Sequence, residues 1–356
     1  MSRDPFRSPE VCAWVRSGAF LVALLVPSLA AAQVKEVPKD RFEVEIDGVR
    51  LQIPLAQTHS LLRGSSSVTR GVVVLHGKSR NAAGYHRYMV RGAKAAKADG
   101  TSAIFAPLWV TEKDLARHRL GSEIPFWSPT RWSRGHRSKT TPKNPRKAQV
   151  SSFEVVDRIL GKLCDKKLFP NLRQLVVAGH SGGGQFVNRY AAGSMFDPPR
   201  GVEILYVMAN PGAYLYLTPE RRVGDSLSEF APPPPHVLAK CPKYDHYKFG
   251  LQKLNRYMGR STPGELRARF ARRRVLYMLG TKDNDPNHRD LDRKCAAMLQ
   301  GANRVERGQI YLNYLKKVFG SKIGKKHQIL MLPGVSHNAR EVFTSPVATN
   351  AIFSSR

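Results

Sequence analysis

The chain has 356 residues, of which 42% are hydrophobic and 24% are charged, and its 58 Lys and Arg residues against 27 Asp and Glu residues give a formal net charge of +31. A chain of this length and composition can bury a sizeable globular core, so intrinsic disorder and collagen-like or coiled-coil architectures are disfavoured. Its four cysteines are too few for a small scaffold held together mainly by disulfides.

Residues 1–32 have the order of a secretory signal peptide. Three arginines precede an apolar run over residues 18–26, and three alanines ending at Ala32 follow it,. The alternative, a membrane anchor, is disfavoured because the run is shorter than the roughly 20 apolar residues that span a bilayer. We expect cleavage after Ala32 and export to the periplasm or the cell exterior. The mature chain, residues 33–356, is then predicted to be a single domain without a transmembrane segment.

Short apolar runs alternate with helical patterns along the mature chain. Residues 41–55 alternate apolar and polar side chains around Asp47-Gly48, which predicts a β-hairpin,. Further strands are predicted over residues 71–75, 102–110, 172–178, 202–209, 275–279 and 328–332,. Helices are predicted over residues 82–99, 152–164, 185–192 and near 309–319,. This alternation predicts an α/β fold with a mainly parallel central sheet covered by helices on both faces.

Two long stretches interrupt this alternation, at about residues 111–147 and 214–274. The first is basic and aromatic and contains four prolines, and the second contains the consecutive prolines 232–235. Both follow predicted strand ends, where open α/β sheets bind ligands. We expect lid or cap elements, with plain surface insertions as the alternative. Trp127, Trp132 and Tyr214 are candidates for an apolar acyl or aryl pocket, although core packing would also explain them.

The segment Gly179-His180-Ser181-Gly182-Gly183 stands between a predicted strand and a predicted helix. A G-x-S-x-G pattern in that context is typical of a nucleophile elbow, a tight turn that holds the serine in a strained conformation. The alternative, a Gly-rich phosphate loop, is disfavoured because the lysine of the P-loop pattern is absent. Ser181 is therefore the predicted nucleophile.

A serine hydroxyl needs a base to take its proton, and the base needs a carboxylate to orient it. Asp283 follows the predicted strand 275–279, and His337 follows the predicted strand 328–332. The chain order serine, acid, histidine is one of the known orders of this triad. Asp285 is an alternative acid, since Asp283 is preferred only because it lies nearer the strand end.

An acyl-transfer site also needs N–H donors for the oxyanion. One donor is expected from Gly182, the residue after the nucleophile, and a second from the loop after an earlier strand. That loop is predicted to be His76-Gly77-Lys78-Ser79, in which Gly77 permits close approach and Lys78 supplies the N–H. A simple turn is the alternative for this loop.

The cysteines allow one disulfide, and no metal-binding motif is present in the sequence. The mature chain holds Cys164, Cys241 and Cys295, which allow at most one disulfide. Cys241 and Cys295 lie in polar, loop-like surroundings and are the hypothesised pair, with free thiols as the alternative. The sequence contains neither H-E-x-x-H nor C-x-x-C, so we predict no metal site and no cofactor.

The positive charge is concentrated in clusters. Basic residues lie in the 111–147 stretch and at Arg267, Arg269, Arg272, Arg273, Arg274, Lys316, Lys317, Lys322, Lys325 and Lys326. No nucleic-acid-binding motif accompanies them, so a nucleic-acid partner is not predicted. They would form a solvated basic surface, or they would bind anionic envelope polymers or steer an acidic substrate.

Taken with the segments His76-Gly77-Lys78-Ser79-Arg80-Asn81 and Gly179-His180-Ser181-Gly182-Gly183-Gly184, the chain resembles the secreted esterase and depolymerase branch of the α/β-hydrolases over roughly residues 71–338. The resemblance implies an α/β-hydrolase fold and serine hydrolase activity, and it does not identify the ester. We therefore predict an exported carboxylic-ester hydrolase acting through an acyl-enzyme on a small-molecule or polymeric ester. The alternatives are an acyltransferase or amidase on the same triad, or a non-catalytic cationic envelope-binding protein.

Overall fold

The computed structural model describes residues 34–354. The predicted signal peptide, residues 1–32, lies outside this range. Within it, no helix has both the length and the apolar character needed to cross a membrane.

Eight strands form one mixed sheet, and two short strands pair separately. In chain order they are β1 (Asp40–Ile46), β2 (Val49–Gln57), β3 (Arg70–Leu75), β4 (Ser102–Pro107), β5 (Gln174–His180), β6 (Glu203–Ala209), β7 (Arg221–Arg222), β8 (Phe230–Ala231), β9 (Arg274–Gly280) and β10 (His327–Leu332). The sheet order is β1-β2-β4-β3-β5-β6-β9-β10, and β7 pairs with β8. Only the β1–β2 and β2–β4 pairings in the large sheet are antiparallel. The expected mainly parallel sheet is confirmed.

Helices cover both faces of the sheet. They are α1 (Ala82–Ala95), α2 (Glu112–Arg117), α3 (Ser152–Leu163), α4 (Gly182–Gly193), α5 (Pro235–Lys240), α6 (Pro263–Arg272), α7 (Cys295–Met298), α8 (Arg304–Phe319), α9 (Ala339–Thr344) and α10 (Pro346–Phe353). Alternate residues of the central strands face opposite sides, so Val73 packs in one core with α3, α4, α6 and α8,. Val72 and Val74 pack in a second core with α1, α9 and α10.

The long predicted elements are present, with shifted ends. The hairpin turn at Asp47 and Gly48 has φ angles of 50° and 74°, as a two-residue turn between right-twisted strands requires. The helix expected over residues 82–99 ends at Ala95, and Lys97 has a left-handed φ of 54°. The short helices α2, α5, α7, α9 and α10 were not predicted, because four to eight residues carry too little periodicity.

The two inserted stretches are folded against the core and against each other. In the first, Trp127 and Trp132 are buried. In the second, the hydroxyl of Tyr257 donates to the half-buried Asp157 at 2.6 Å. The carbonyl oxygen of Arg134, in the first stretch, accepts hydrogen bonds from Tyr247 and Asn255, in the second. These contacts fix both stretches at the same end of the sheet.

A disulfide joins Cys241 to Cys295, at a sequence separation of 54. It is the pair hypothesised from the sequence, and Cys164 is half-buried and forms no disulfide within the described range. The bond connects the second inserted stretch to the start of α7. It therefore anchors the loop between β9 and α7.

We expect the double substitution Cys241→Ser/Cys295→Ser to lower the free energy of unfolding by about 2–4 kcal/mol, because a crosslink that closes a long loop restricts the unfolded chain. Urea denaturation followed by tryptophan fluorescence measures this loss. Cys164→Ser is the matched control and should change the midpoint little. Equal midpoints for the double variant and the wild type would contradict this role of the disulfide.

Candidate active site

Ser181 lies in the tight turn between β5 and α4. Its backbone has φ 57° and ψ −115°, a strained conformation for a residue with a side chain. The flanking glycines make the turn sterically accessible. A Cβ on Gly179 would lie 2.4 Å from the backbone of Gly183, and one on Gly183 would lie 2.1 Å from the carbonyl oxygen of Leu75. The turn therefore presents the Ser181 hydroxyl at the carboxyl end of the sheet.

Ser181, His337 and Asp283 form a continuous hydrogen-bonded chain. The Ser181 Oγ lies 3.0 Å from His337 Nε2. On the other side of the ring, His337 Nδ1 donates to Asp283 Oδ2 at 2.6 Å. Since the carboxylate accepts the Nδ1 proton, Nε2 is left as an acceptor for the serine proton. This is the arrangement that activates a serine nucleophile.

Backbone contacts hold the loop that bears the acid against the loop that bears the histidine. Asp283 N–H donates to Gly280 at the end of β9, and Lys282 N–H donates to Val335. The buried amide of Asn210, at the end of β6, donates to the Ser336 carbonyl at 3.3 Å and accepts from Gly280 N–H at 2.9 Å. One side chain therefore connects both loops.

The buried guanidinium of Arg304, in the first turn of α8, donates to Asp283 Oδ1 at 2.8 Å. Asp283 Oδ1 therefore accepts from Arg304, and Asp283 Oδ2 accepts from His337. Asp285, the alternative acid, is exposed and instead accepts from the backbone N–H of Asn287. The geometry separates the two candidates that the sequence left open.

Two further histidines flank the ring of His337. The ring centroid of His180 lies 4.6 Å away and that of His288 lies 5.1 Å away. Burial lowers the pKa of His180 well below its usual value, and His337 and Arg304 add to this shift. Burial also lowers the pKa of His288, again with Arg304 contributing. Both neighbours are therefore neutral near pH 7.

Two backbone N–H groups converge beside Ser181. The nitrogen of Lys78 lies 3.3 Å from the position that a Cβ on Gly182 would occupy. Within residues 34–354, neither Lys78 N–H nor Gly182 N–H has a protein acceptor. Gly77 has no room for a side chain, since a Cβ there would lie 2.9 Å from the Tyr85 hydroxyl and 3.5 Å from Ser181 Cβ. The arrangement matches a pair of oxyanion donors.

His76 orients the peptide that carries the Lys78 N–H. Its Nε2 accepts from Trp109 N–H at 3.2 Å, so Nδ1 carries the proton and donates to the Gly77 carbonyl at 2.9 Å. Burial lowers the pKa of His76 to about 3. This neutral histidine holds the carbonyl side of the Gly77–Lys78 peptide, so the N–H points the other way.

A cavity of about 390 Å³ adjoins these donors, and Lys78, Gly182 and Trp132 contribute to its lining. Of the three aromatic candidates from the sequence, only Trp132 contributes to this cavity. Trp127 is buried and donates its indole N–H to the His136 carbonyl at 3.0 Å. Tyr214 is buried and stacks on Tyr311 with ring centroids 4.4 Å apart. The last two side chains belong to the core.

Many of the clustered arginines bind the protein's own carbonyl groups. Arg273 is only 8% exposed and donates to the carbonyls of Ser194 and Phe196. Arg137 donates to the carbonyl of Gln149. These side chains stabilise loops and are not free for a polymer surface. Among the described residues, no group of three or more His, Cys, Asp or Glu side chains could hold a metal ion.

Comparisons with known proteins place this chain in one family. A model of the alpha/beta hydrolase family matches residues 72–347, and the chain therefore belongs to that family. The structure is similar to LpqC, a poly(3-hydroxybutyrate) depolymerase from Bordetella parapertussis, with 20% identity over 89% of this chain and 90% of that one and a TM-score of 0.56. It is also similar to poly(aspartic acid) hydrolase-1 from Sphingomonas sp. KT-1, with 22% identity over 90% of this chain and 100% of that one and a TM-score of 0.56. No curated protein matches the sequence.

Sequence reasoning missed three residues that support this geometry: Arg304, Asn210 and His288. Asn210 lies directly after β6, and its position in the sequence does not indicate which groups its side chain connects. Arg304 lies in a helix that sequence patterning started later, near residue 309. Nothing in the local pattern indicates that its side chain is buried against Asp283.

We expect Arg304→Met to change the pH dependence of kcat/KM for hydrolysis: the acidic limb of the profile should move to higher pH. Without the guanidinium, the full negative charge of Asp283 acts on His337 and favours the protonated ring, which cannot accept the serine proton. Steady-state kinetics between pH 5 and pH 9 measure the shift. Arg304→Lys retains the charge and should restore most of the wild-type profile. A variant that loses only stability, with an unmoved profile, would contradict this positioning role.

Proposed function

We propose that the protein is an exported serine hydrolase that cleaves carboxylic esters. The observation that supports this most directly is the hydrogen bond between Ser181 Oγ and His337 Nε2, 3.0 Å long, at a serine in the strained turn before α4. A non-catalytic binding protein has no need for this strain together with an intact acid and base.

In the proposed reaction, Ser181 Oγ attacks the ester carbonyl while His337 Nε2 takes its proton. The carbonyl oxygen becomes an oxyanion that accepts hydrogen bonds from the N–H groups of Lys78 and Gly182. His337 then gives its proton to the departing alcohol, which leaves an acyl-enzyme on Ser181. Water attacks that ester while His337 Nε2 takes its proton, and His337 returns this proton to Ser181 Oγ as the acyl–oxygen bond breaks, which releases the acid product and restores the free serine. Asp283 holds the ring and stabilises its positive charge.

We expect Ser181→Ala and His337→Ala to abolish labelling by a fluorophosphonate probe and to lower kcat on a short-chain aryl ester by at least about 10⁴-fold, because the nucleophile or its base is lost. Asp283→Asn should cause a loss of about 10⁴-fold, since the amide favours the wrong histidine tautomer. Gel fluorescence and absorbance of the released phenol provide the two measurements.

Asp285→Asn is the matched control for the acid, because Asp285 lies two residues away and is exposed. Its kcat should stay close to that of the wild type. Labelling that persists in Ser181→Ala, or a folded wild type that neither labels nor hydrolyses the ester, would contradict the proposed function.

Export is the second part of the proposal. The order of charged, apolar and small residues in 1–32 supports it,, and so does a disulfide of the kind that persists in oxidising compartments,. Expression of the full chain with its own N-terminus should yield, outside the cytoplasm, a protein whose first residue is Gln33. Intact mass and peptide-mapping mass spectrometry of the purified protein measure this, with the N-terminal Gln33 read either free or cyclised. An intact N-terminus on protein confined to the cytoplasm would overturn this part.

A further inference from the structure

We propose that the cavity beside Ser181 binds a carboxylate carried by the substrate, so that the enzyme prefers esters with an anionic group close to the scissile bond. This inference rests on the proposed function and specifies its substrate class. It follows from the charges that line the cavity and from the contacts that those charges lack.

The cavity of about 390 Å³ is shared with the two oxyanion donors, since Lys78 and Gly182 both line it. A group bound there is therefore adjacent to the carbonyl that Ser181 attacks. Its charged lining residues are Lys78, Arg134, Lys248, Asp292, Arg293 and Lys294. Five of these side chains are basic and one is acidic, so the lining has an excess of positive charge.

The single carboxylate is already engaged. Asp292 Oδ2 forms an ion pair with Lys248 Nζ, and both side chains are only 11% exposed. Burial lowers the pKa of Lys248 to about 7, and Arg189 and Arg134 lower it further, although Asp292 opposes the shift. Of the remaining cations, Lys78 and Arg293 donate to backbone carbonyls. The charge of Asp292 also acts on Arg134, but within the described residues no ion pair joins any of these four cations to a carboxylate.

Arg134 is the strongest candidate to hold the anion. Its guanidinium has no hydrogen-bond acceptor within the described part of the chain, and its Nε is buried without a partner. Neighbouring arginines differ, since Arg137 and Arg189 donate to backbone carbonyls. A guanidinium that is partly removed from water and lacks an acceptor is unfavourable, and its planar donors match the two oxygens of a carboxylate.

Apolar surface also lines this cavity, next to the Gly182 donor. The ring of Trp132 lines the cavity, and its Cη2 lies 3.5 Å from the position of a Cβ on Gly182. Leu291 also contributes to the lining. Such a wall suits a short aliphatic or aromatic spacer between the ester and the carboxylate.

The test compares kcat/KM for matched ester pairs at low ionic strength. Mono-4-nitrophenyl adipate against 4-nitrophenyl hexanoate places the carboxylate on the acyl side, and 4-acetoxybenzoate against 4-acetoxybenzamide places it on the alcohol side. We expect at least one pair to show a preference of about tenfold or more for the anion, as one charge-assisted bidentate contact provides. The preference should decrease as salt is raised to 0.5 M, because salt screens exposed charges.

Arg134→Gln should reduce that preference about tenfold, measured as the ratio of kcat/KM values within the pair. Lys294→Gln, at an exposed position of the same cavity, is a second variant that tests the charge without a buried substitution. Arg131→Gln is the matched control, since Arg131 is exposed and lies three residues away outside this cavity, and its ratio should equal that of the wild type.

The outcomes separate the two proposals. Hydrolysis of the neutral esters with no anion preference in either pair overturns the inference and leaves the proposed function intact. An anion preference that survives in Arg134→Gln and Lys294→Gln also overturns it. Failure to hydrolyse any of the four esters, together with absent fluorophosphonate labelling, overturns the proposed function itself.

Discussion

The whole site depends on a steric constraint at the end of β5. The chain reverses there so tightly that Gly179 and Gly183 would overlap neighbouring backbone if either carried a Cβ, at 2.4 and 2.1 Å. The strain of Ser181 is held in place because β5 is a central strand, paired with β3 and β6 along its whole length. A turn of this kind at a sheet edge would relax. The rigid centre of the sheet is thus what keeps the hydroxyl in a fixed position.

The remaining groups reach that hydroxyl because parallel strands end at the same edge. The loops after β3, β9 and β10 bring Lys78, Asp283 and His337 to Ser181 from positions up to 259 residues apart in sequence. Their relative positions depend on polar contacts that are buried: Asn210 between two loops, and Arg304 on the far oxygen of Asp283. Buried polar groups of this kind have strong geometric preferences, since an unmet hydrogen bond away from water costs about 1–3 kcal/mol. The precision of the site therefore comes from the buried hydrogen bonds that Asn210 and Arg304 make to the loops that bear Asp283 and His337.

The sequence predicted the central strands and the helices α1, α3, α4 and α8, because these depend on local periodicity. The chain order of serine, acid and histidine is a prediction from glycine spacing and strand ends. The sequence did not predict the directions of the side chains in the inserted stretches. Trp127 lies in the same inserted stretch as Trp132, and Tyr214 begins the second stretch, yet of these three aromatic residues only Trp132 borders the cavity. Side-chain direction depends on long-range packing, such as the stacking of Tyr214 on Tyr311 from α8. For the same reason, Asp283 and Asp285 could be ranked from sequence only by their distance from the strand end.

The positive charge of the chain illustrates the same limit. A count of Lys and Arg treats all of them as surface charge, yet Arg80, Arg189, Arg221, Arg304 and Arg307 are among the most deeply buried side chains. Arg80, Arg221 and Arg304 each pair with a buried aspartate, and Arg189 and Arg307 donate to backbone carbonyls. Such pairs position loops more than they stabilise the fold, because desolvation offsets most of the attraction between the charges. The basic residues therefore have two roles. The buried arginines position loops, and only the basic residues that face solvent or the cavity beside Ser181 are available to a substrate.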